Sequence, residues 1–254
     1  MKTVGFIGVG ELALYTINGV RRGGYQGSIL LSPRNRQKAS ELAERQGCEV
    51  LGDNQTVVWE SDFVVISTRP AQCLETLSSL EFRPGQVLIS VVAGIEIEQL
   101  RSALNLDIEI IRAMPVSSAE AASSPTLVYP VNEFVCEFFD YCGQSIAVDN
   151  EQTFDQGSVL ACVYSWYFVL FESLIEATQS STLPRELAAQ LVMGMARGAA
   201  DLALAEKSRS PGEIATAIAT EGTFSKLGLD LLEENQAFAA WRDACELLKQ
   251  KLAD

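Results

Sequence analysis

The residues with the most specific chemistry stand at the amino terminus, where the apolar run Val4-Gly5-Phe6-Ile7 leads into Gly8-Val9-Gly10-Glu11-Leu12-Ala13. A β-type run followed by Gly-x-Gly-x-x-Ala and a helical pattern is built to take the pyrophosphate of a dinucleotide. Gly8 permits the tight turn, Gly10 lets the backbone approach the phosphates, and Ala13 keeps the helix close to the sheet. Glu11 and Leu12 open that helix, whose unpaired N–H groups face the phosphates. The second apolar run ends in Leu30-Leu31-Ser32-Pro33-Arg34-Asn35-Arg36, where an NAD site carries an acid for the ribose 2′-hydroxyl. Ser32, Arg34, Asn35 and Arg36 stand there instead, and donors of this kind suit a 2′-phosphate that an aspartate would repel, so NADP(H) is the expected cofactor.

The chemistry available beside such a cofactor is narrowed by elimination. The chain has no histidine, which removes the usual proton shuttle at neutral pH and the commonest transition-metal ligand. Its six cysteines, Cys48, Cys73, Cys136, Cys142, Cys162 and Cys245, show no CxxC spacing, so buried reduced thiols are expected and no metal site. Tyr15, Tyr25, Tyr129, Tyr141, Tyr164 and Tyr167 are followed four residues on by Gly19, Ile29, Glu133, Ser145, Phe168 and Phe171. No tyrosine–lysine pair is therefore present to protonate an alkoxide, and the long helix expected after residue 150 contains no lysine either. Carbonyl reduction needs such an acid. A protonated imine does not, because it already carries the charge that makes it a hydride acceptor, and positioning alone can drive its reduction.

The elements that must position these residues follow from hydrophobic period. Short β-rich runs at Val4–Ile7, Ile29–Leu31, Phe63–Ser67, Val87–Val91 and Ile108–Ile111 alternate with helical patterns at Leu12–Arg22, Gln37–Gln46, Gln72–Leu80 and Ile97–Leu104. Thr126–Tyr129 and Ser145–Val148 add two strands around a helix starting near Asn132. This alternation predicts an α/β fold, an N-terminal Rossmann-like doubly wound sheet over residues 1–149. Residues 150–254 lose the period of two and predict a C-terminal all-helical domain. Its helices are expected at Glu151–Gln179, at Pro184–Lys207 and from the cap Ser210-Pro211-Gly212, with a break from Gly222 to Gly228 before the last helical region.

Composition bounds the partners. The 254 residues carry a formal charge of −14, which opposes nucleic acid and anionic lipid surfaces. Gln156–Phe171 is free of charge, yet it stops short of the roughly 20 apolar residues of a bilayer span, so a helix enclosed by protein is expected and no membrane. About a hundred residues of helices bury too small a fraction of their surface to cover it, so a homodimer or higher homo-oligomer built through the second domain is expected. Glu172, a charge inside that helix, calls for a partner such as Arg197. The opening MKTVGFIGVG lacks a signal-peptide pattern, which predicts a cytoplasmic protein.

Together these residues resemble the pyrroline-5-carboxylate reductase family, NAD(P)H-dependent enzymes that make proline from its cyclic imine. The resemblance spans the chain. It rests on Gly5–Ala13, Asp53-Asn54, Val64–Pro70, Ser90–Ile95, Ile111-Arg112-Ala113-Met114-Pro115 and Leu183–Ala188. It implies that Asn54, Thr68, Arg69, Pro70 and Ala93 line the cofactor cleft with Met114 and Pro115 near the nicotinamide. Its Ser-Pro-Gly-Gly-Thr-Thr substrate loop aligns with Thr220-Glu221-Gly222-Thr223-Phe224-Ser225, which assigns Gly222, Thr223 and Ser225, with Met114 and Pro115, to the substrate and Ser225 to catalysis. The chain departs from the family at Val116-Ser117-Ser118, at Ala161–Trp166 and at Glu221 and Phe224. A carboxylate at Glu221 would repel a carboxylate substrate in a poorly solvated site. The reading is an NADPH-dependent reductase of a cyclic imine, pyrroline-5-carboxylate first. A relative acting on another imine or carbonyl, and an NADP-binding protein without turnover, are the alternatives.

Overall fold

The computed structural model describes residues 2–253 and divides into two compact units, residues 1–161 and 162–254. The first begins β1 (Val4–Ile7), α1 (Glu11–Arg22), β2 (Ile29–Leu31), α2 (Arg36–Gln46), β3 (Glu49–Val50), α3 (Asn54–Glu60) and β4 (Phe63–Ile66). It continues with α4 (Pro70–Ser78), β5 (Val87–Ser90), α5 (Ile97–Ser102), β6 (Glu109–Met114), β7 (Ser124–Tyr129), α6 (Glu133–Asp140) and β8 (Gly143–Ala147). The eight strands form one sheet in the order β3-β2-β1-β4-β5-β6-β7-β8. Strands β3 to β6 are mutually parallel; β7 runs antiparallel to β6 and carries β8 parallel to it.

Helices cover both faces, which is why the central strands read as unbroken apolar runs. Phe6, Val65, Ile89 and Ile111 enter one core with Ile17 and Val20 of α1. Val64, Ile66, Leu88 and Ile110 enter the opposite core with Val57, Val58 and Leu77. The expected strands are present, with two additions. β3 has only two residues, too few for a period to register, and α3 is a seven-residue helix. That helix is capped by Asp53, whose Oδ1 accepts the Thr56 N–H at 2.7 Å.

Five helices complete the chain: α7 (Glu151–Thr178), α8 (Arg185–Ala205), α9 (Pro211–Ile218), α10 (Phe224–Glu234) and α11 (Ala237–Ala253). The first turns of α7 belong to the first unit, where Phe154, Ser158 and Val159 are buried. A side chain at Gly157 would come within 2.6 Å of Leu127 Cδ1 on β7, so glycine permits the close approach of helix to sheet. In the second unit Ser210 caps α9 with Pro211 at the first helical position. The expected break from Gly222 to Gly228 is shorter, since Thr223 caps α10 and Gly228 lies inside it. A lone glycine costs a helix only about 1 kcal/mol.

The second unit does not enclose its own apolar surface. Among its described residues only Val163, Ile175, Ala188 and Ile214 are buried among the hydrophobics, whereas Val169 is 71%, Met195 72% and Leu204 76% exposed. Beyond Val163 the charge-free stretch of α7 is thus largely uncovered within one chain, with Tyr167, Phe168, Val169 and Leu170 exposed. Glu172 pairs with Arg185 at 2.6 Å, not with Arg197, which lies 3.5 Å from Asp201 one turn along its own helix. By length and composition α7 and α8 would each suffice to cross a membrane.

Candidate active site

The turn after β1 is held by side chains from the end of β2. Gly8 has φ +93°, a conformation that favours glycine, and a Cβ there would come within 2.7 Å of the Ser67 carbonyl oxygen. The Gly8 N–H donates to Ser32 Oγ at 2.9 Å, and the Asn35 amide donates to the Val9 carbonyl at 3.0 Å. Ser32 is fully buried. Its hydroxyl oxygen braces the turn by accepting that N–H.

Beyond this turn opens a cleft of about 520 Å³ walled by Gly8, Val9, Gly10, Arg34, Asn35, Arg36, Thr68, Arg69 and Gln72. It lies at the carboxyl ends of β2, β1 and β4, where the strand order reverses, the usual ligand crevice of an open α/β sheet. The fit to a phosphorylated dinucleotide is specific. No atom lies within 4 Å of a Cβ built at Gly10, so the backbone there is open to the pyrophosphate. Arg34, Arg36 and Arg69 are exposed cations, and Arg34 Nη1 reaches Gln72 Oε1 at 3.3 Å. The Thr68 hydroxyl oxygen is buried without a hydrogen-bond partner of good geometry among the described residues, a weak contact with the Cys73 thiol aside.

Of the residues expected at the cofactor, the cleft brings together Gly8, Gly10, Arg34, Asn35, Arg36, Thr68 and Arg69. The others stand off its wall. Glu11 begins α1 and is ion-paired with Lys38; Leu12 packs on the core. Asn54 begins α3, Pro70 begins α4, and Ala93 is exposed in the segment after β5. Met114 and Pro115, at the end of β6, are buried. Sequence reasoning missed Gln72, which lines the cleft from the first turn of the helix that starts at Pro70; that proximity to an expected residue was the available signal.

The residues expected at the substrate fall partly in each unit. In the second, Gly222 is exposed and the Thr223 hydroxyl is committed to capping, donating to the Thr220 carbonyl at 2.7 Å and accepting the Lys226 N–H at 3.2 Å. Ser225 is exposed, and Phe224 is 93% exposed. Lys226, ion-paired with Asp230, has its ammonium pKa raised by that hydrogen bond first and by the nearby Asp230 and Glu221 charges. Glu221 therefore has a cation beside its loop, which the sequence alone did not reveal.

Three of the six cysteines are buried as expected, whereas Cys136 and Cys245 are half-buried and Cys162 is exposed. Burial pushes the Cys48 and Cys73 thiols up to about 11 and Cys142 up to about 12, the opposite of an activated nucleophile. Among the described residues no cluster of potential metal ligands occurs.

A doubly wound sheet with this cleft, followed by a helical domain, defines an NADP-dependent oxidoreductase. Comparison with known proteins refines the class. Residues 3–94 match the family model described as NADP oxidoreductase coenzyme F420-dependent, and residues 151–253 match pyrroline-5-carboxylate reductase dimerisation. The chain is 30% identical over 251 residues to a pyrroline-5-carboxylate reductase of Glycine max, covering 91% of this chain and 88% of that one. It is 26% identical to the Pseudomonas aeruginosa enzyme of the same name over 97% of both. The fold matches the crystal structure of the Streptococcus pyogenes enzyme with TM-score 0.87 at 24% identity, covering 99% of this chain and 98% of that one. The Plasmodium falciparum pyrroline carboxylate reductase with NADP bound matches with TM-score 0.87 at 19% identity, covering 99% and 97%. The chain belongs to the pyrroline-5-carboxylate reductase family.

Proposed function

We propose that the protein reduces the C=N bond of pyrroline-5-carboxylate to give proline, using NADPH, as a cytoplasmic homodimer or higher homo-oligomer. In this reading residues 1–149 hold the cofactor and residues 150–254 dimerise. The observation that carries it is a cofactor cleft of this family in a chain with no histidine and no tyrosine–lysine pair, which suits an acceptor that is already protonated. When bound, NADPH supplies a hydride to the iminium carbon, and the product amine keeps the proton already on nitrogen.

The chain's own part is to bind, orient and exclude water. Gly8 and Gly10, with the start of α1, hold the pyrophosphate; Arg34 and Arg36 hold the 2′-phosphate. The buried Met114 and Pro115 give an apolar surface at the end of β6 that keeps water from the reacting ring. Ser225 donates its hydroxyl to the substrate, with Gly222 and Thr223 shaping the loop. Another cyclic imine is the second reading, favoured by Glu221, by the exposed Phe224 ring and by the capping role of Thr223. A loop of this composition suits a bulkier or less acidic ring.

The deciding experiment follows NADPH oxidation with pyrroline-5-carboxylate and with a series of cyclic imines that lack the carboxylate. Turnover of the first supports the principal reading. Turnover of the others alone supports the second, and saturable NADPH binding with no turnover defeats both.

A further inference from the structure

Arg112 lies in the middle of β6, 2% exposed, and burial of a guanidinium is costly unless its charge is paired. Its Nη1 meets Glu151 Oε1 at 2.7 Å, its Nη2 meets Asp155 Oδ1 at 2.8 Å, and its Cζ stands 4.5 Å from the Phe154 ring centroid. Glu151 and Asp155 are four residues apart on α7 and so share a face. The two carboxylates differ in one respect. Glu151 Oε1 also accepts the Ile97 N–H at 2.9 Å, whereas Asp155 meets only the guanidinium in this trio.

Ile97 is the first residue of α5 and ends the segment that leaves β5 through Val91, Ala93 and Glu96. Arg112 stands two residues before Met114, the last residue of β6. One carboxylate oxygen therefore joins the exits of two adjacent strands. With the 2′-phosphate at the end of β2 and the pyrophosphate at the β1 turn, the sheet order β2-β1-β4-β5-β6 sends the other half of the cofactor toward the ends of β4, β5 and β6. The segment after β5 and the Met114-Pro115 pair would then be neighbours of the reacting ring.

We propose that Glu151 is a positioning residue for hydride transfer, tying the segment after β5 to the end of β6 through Ile97 and Arg112 so that both present fixed surfaces to the nicotinamide. This inference rests on the reductase reading above. Small misplacements at a reacting centre lower the rate of the chemical step more than they lower binding.

The test compares Glu151→Ala with Asp155→Ala in the full chain. Each removes one ion pair from Arg112, but only the first releases Ile97. Hydrogen exchange of the backbone over residues 92–97 should quicken about tenfold or more in Glu151→Ala and stay within about twofold of wild type in Asp155→Ala. The turnover number with NADPH and a cyclic imine should fall about tenfold or more in Glu151→Ala with the NADPH Kd within about threefold, and Asp155→Ala should keep most of it. Equal exchange in the two variants, or none gained in Glu151→Ala, overturns the proposal. If Glu151→Ala does not fold, the double variant Arg112→Met/Glu151→Met leaves no buried guanidinium unpaired. It should show the same faster exchange, and wild-type protection there also overturns the proposal. If wild type reduces no imine while the exchange contrast holds, the reductase reading fails and the tether stands; turnover without the contrast has the opposite meaning.

Discussion

Replacing Arg34 and Arg36 together by alanine should separate the two nicotinamide cofactors. A hydrogen bond to a charged group contributes about 1.5–3 kcal/mol, and because both side chains are exposed the lower end applies, about 3 kcal/mol for the pair. Arg34 must first leave Gln72, which it meets at 3.3 Å, and that neutral-acceptor contact offsets about 0.5–1 kcal/mol. The remaining 2–2.5 kcal/mol, on this order-of-magnitude reckoning, predicts an NADPH Kd raised roughly 30- to 60-fold. NADH lacks the 2′-phosphate and should change by less than about threefold. Titration calorimetry of both cofactors into wild type and variant at one ionic strength measures the difference, and added salt should shrink the NADPH loss. Equal losses for NADPH and NADH would refute the placement of the 2′-phosphate between these arginines.

Four further outcomes are expected. Ser32→Ala removes the buried acceptor of the Gly8 N–H and should cost about 1–3 kcal/mol in chemical denaturation while weakening NADPH and NADH alike; selective loss of NADPH would return Ser32 to the 2′-phosphate. Ser225→Ala should lower imine turnover about tenfold with NADPH affinity unchanged, and unaltered kinetics would remove it from the site. Tyr25 and Cys142, both pushed up to about 12 by burial, and Cys48 and Cys73, at about 11, stay protonated in the native state where the unfolded chain has begun to ionise. Their stabilisation is complete below about pH 9 for the thiols and below about pH 10 for Tyr25, and declines above it by up to about 1.4 kcal/mol per pH unit for each such group, until the native group also ionises. Cys142→Ala should flatten that alkaline decline in urea midpoint, and an unchanged slope would count against its burial. Leu170→Glu, in the exposed apolar face that runs past Trp166 and Trp241, should shift light-scattering mass toward the monomer, whereas an unchanged mass would place the interface elsewhere.

Most of the sheet was legible because two-sided burial writes each central strand as a continuous apolar run, as in Phe63–Ile66 and Val87–Ser90. β3 was not, since two residues that pair with Leu30 and Leu31 carry no period. The glycine turn and the arginines after β2 were legible because their chemistry is local. Ser32 was legible only in part: residue type announces a donor, and only the fold shows that its hydroxyl oxygen also accepts the Gly8 N–H. Gln72 and the tie from Glu151 to Ile97 join residues far apart in the chain, for which no local spacing is a guide. The helical half showed its helices clearly. The identity of Glu172's partner depended on which turn of α8 lies alongside, and Arg185 rather than Arg197 holds that place.

The three arginines at the cleft mouth sit on a molecule of formal charge −14, and this has a kinetic consequence. At long range the acidic body slows the approach of an anionic coenzyme; within about 10 Å, near the Debye length at 0.1 M salt, the guanidinium cluster draws it in. Salt weakens both effects, so the encounter rate should vary little with ionic strength while the lifetime of the bound state shortens.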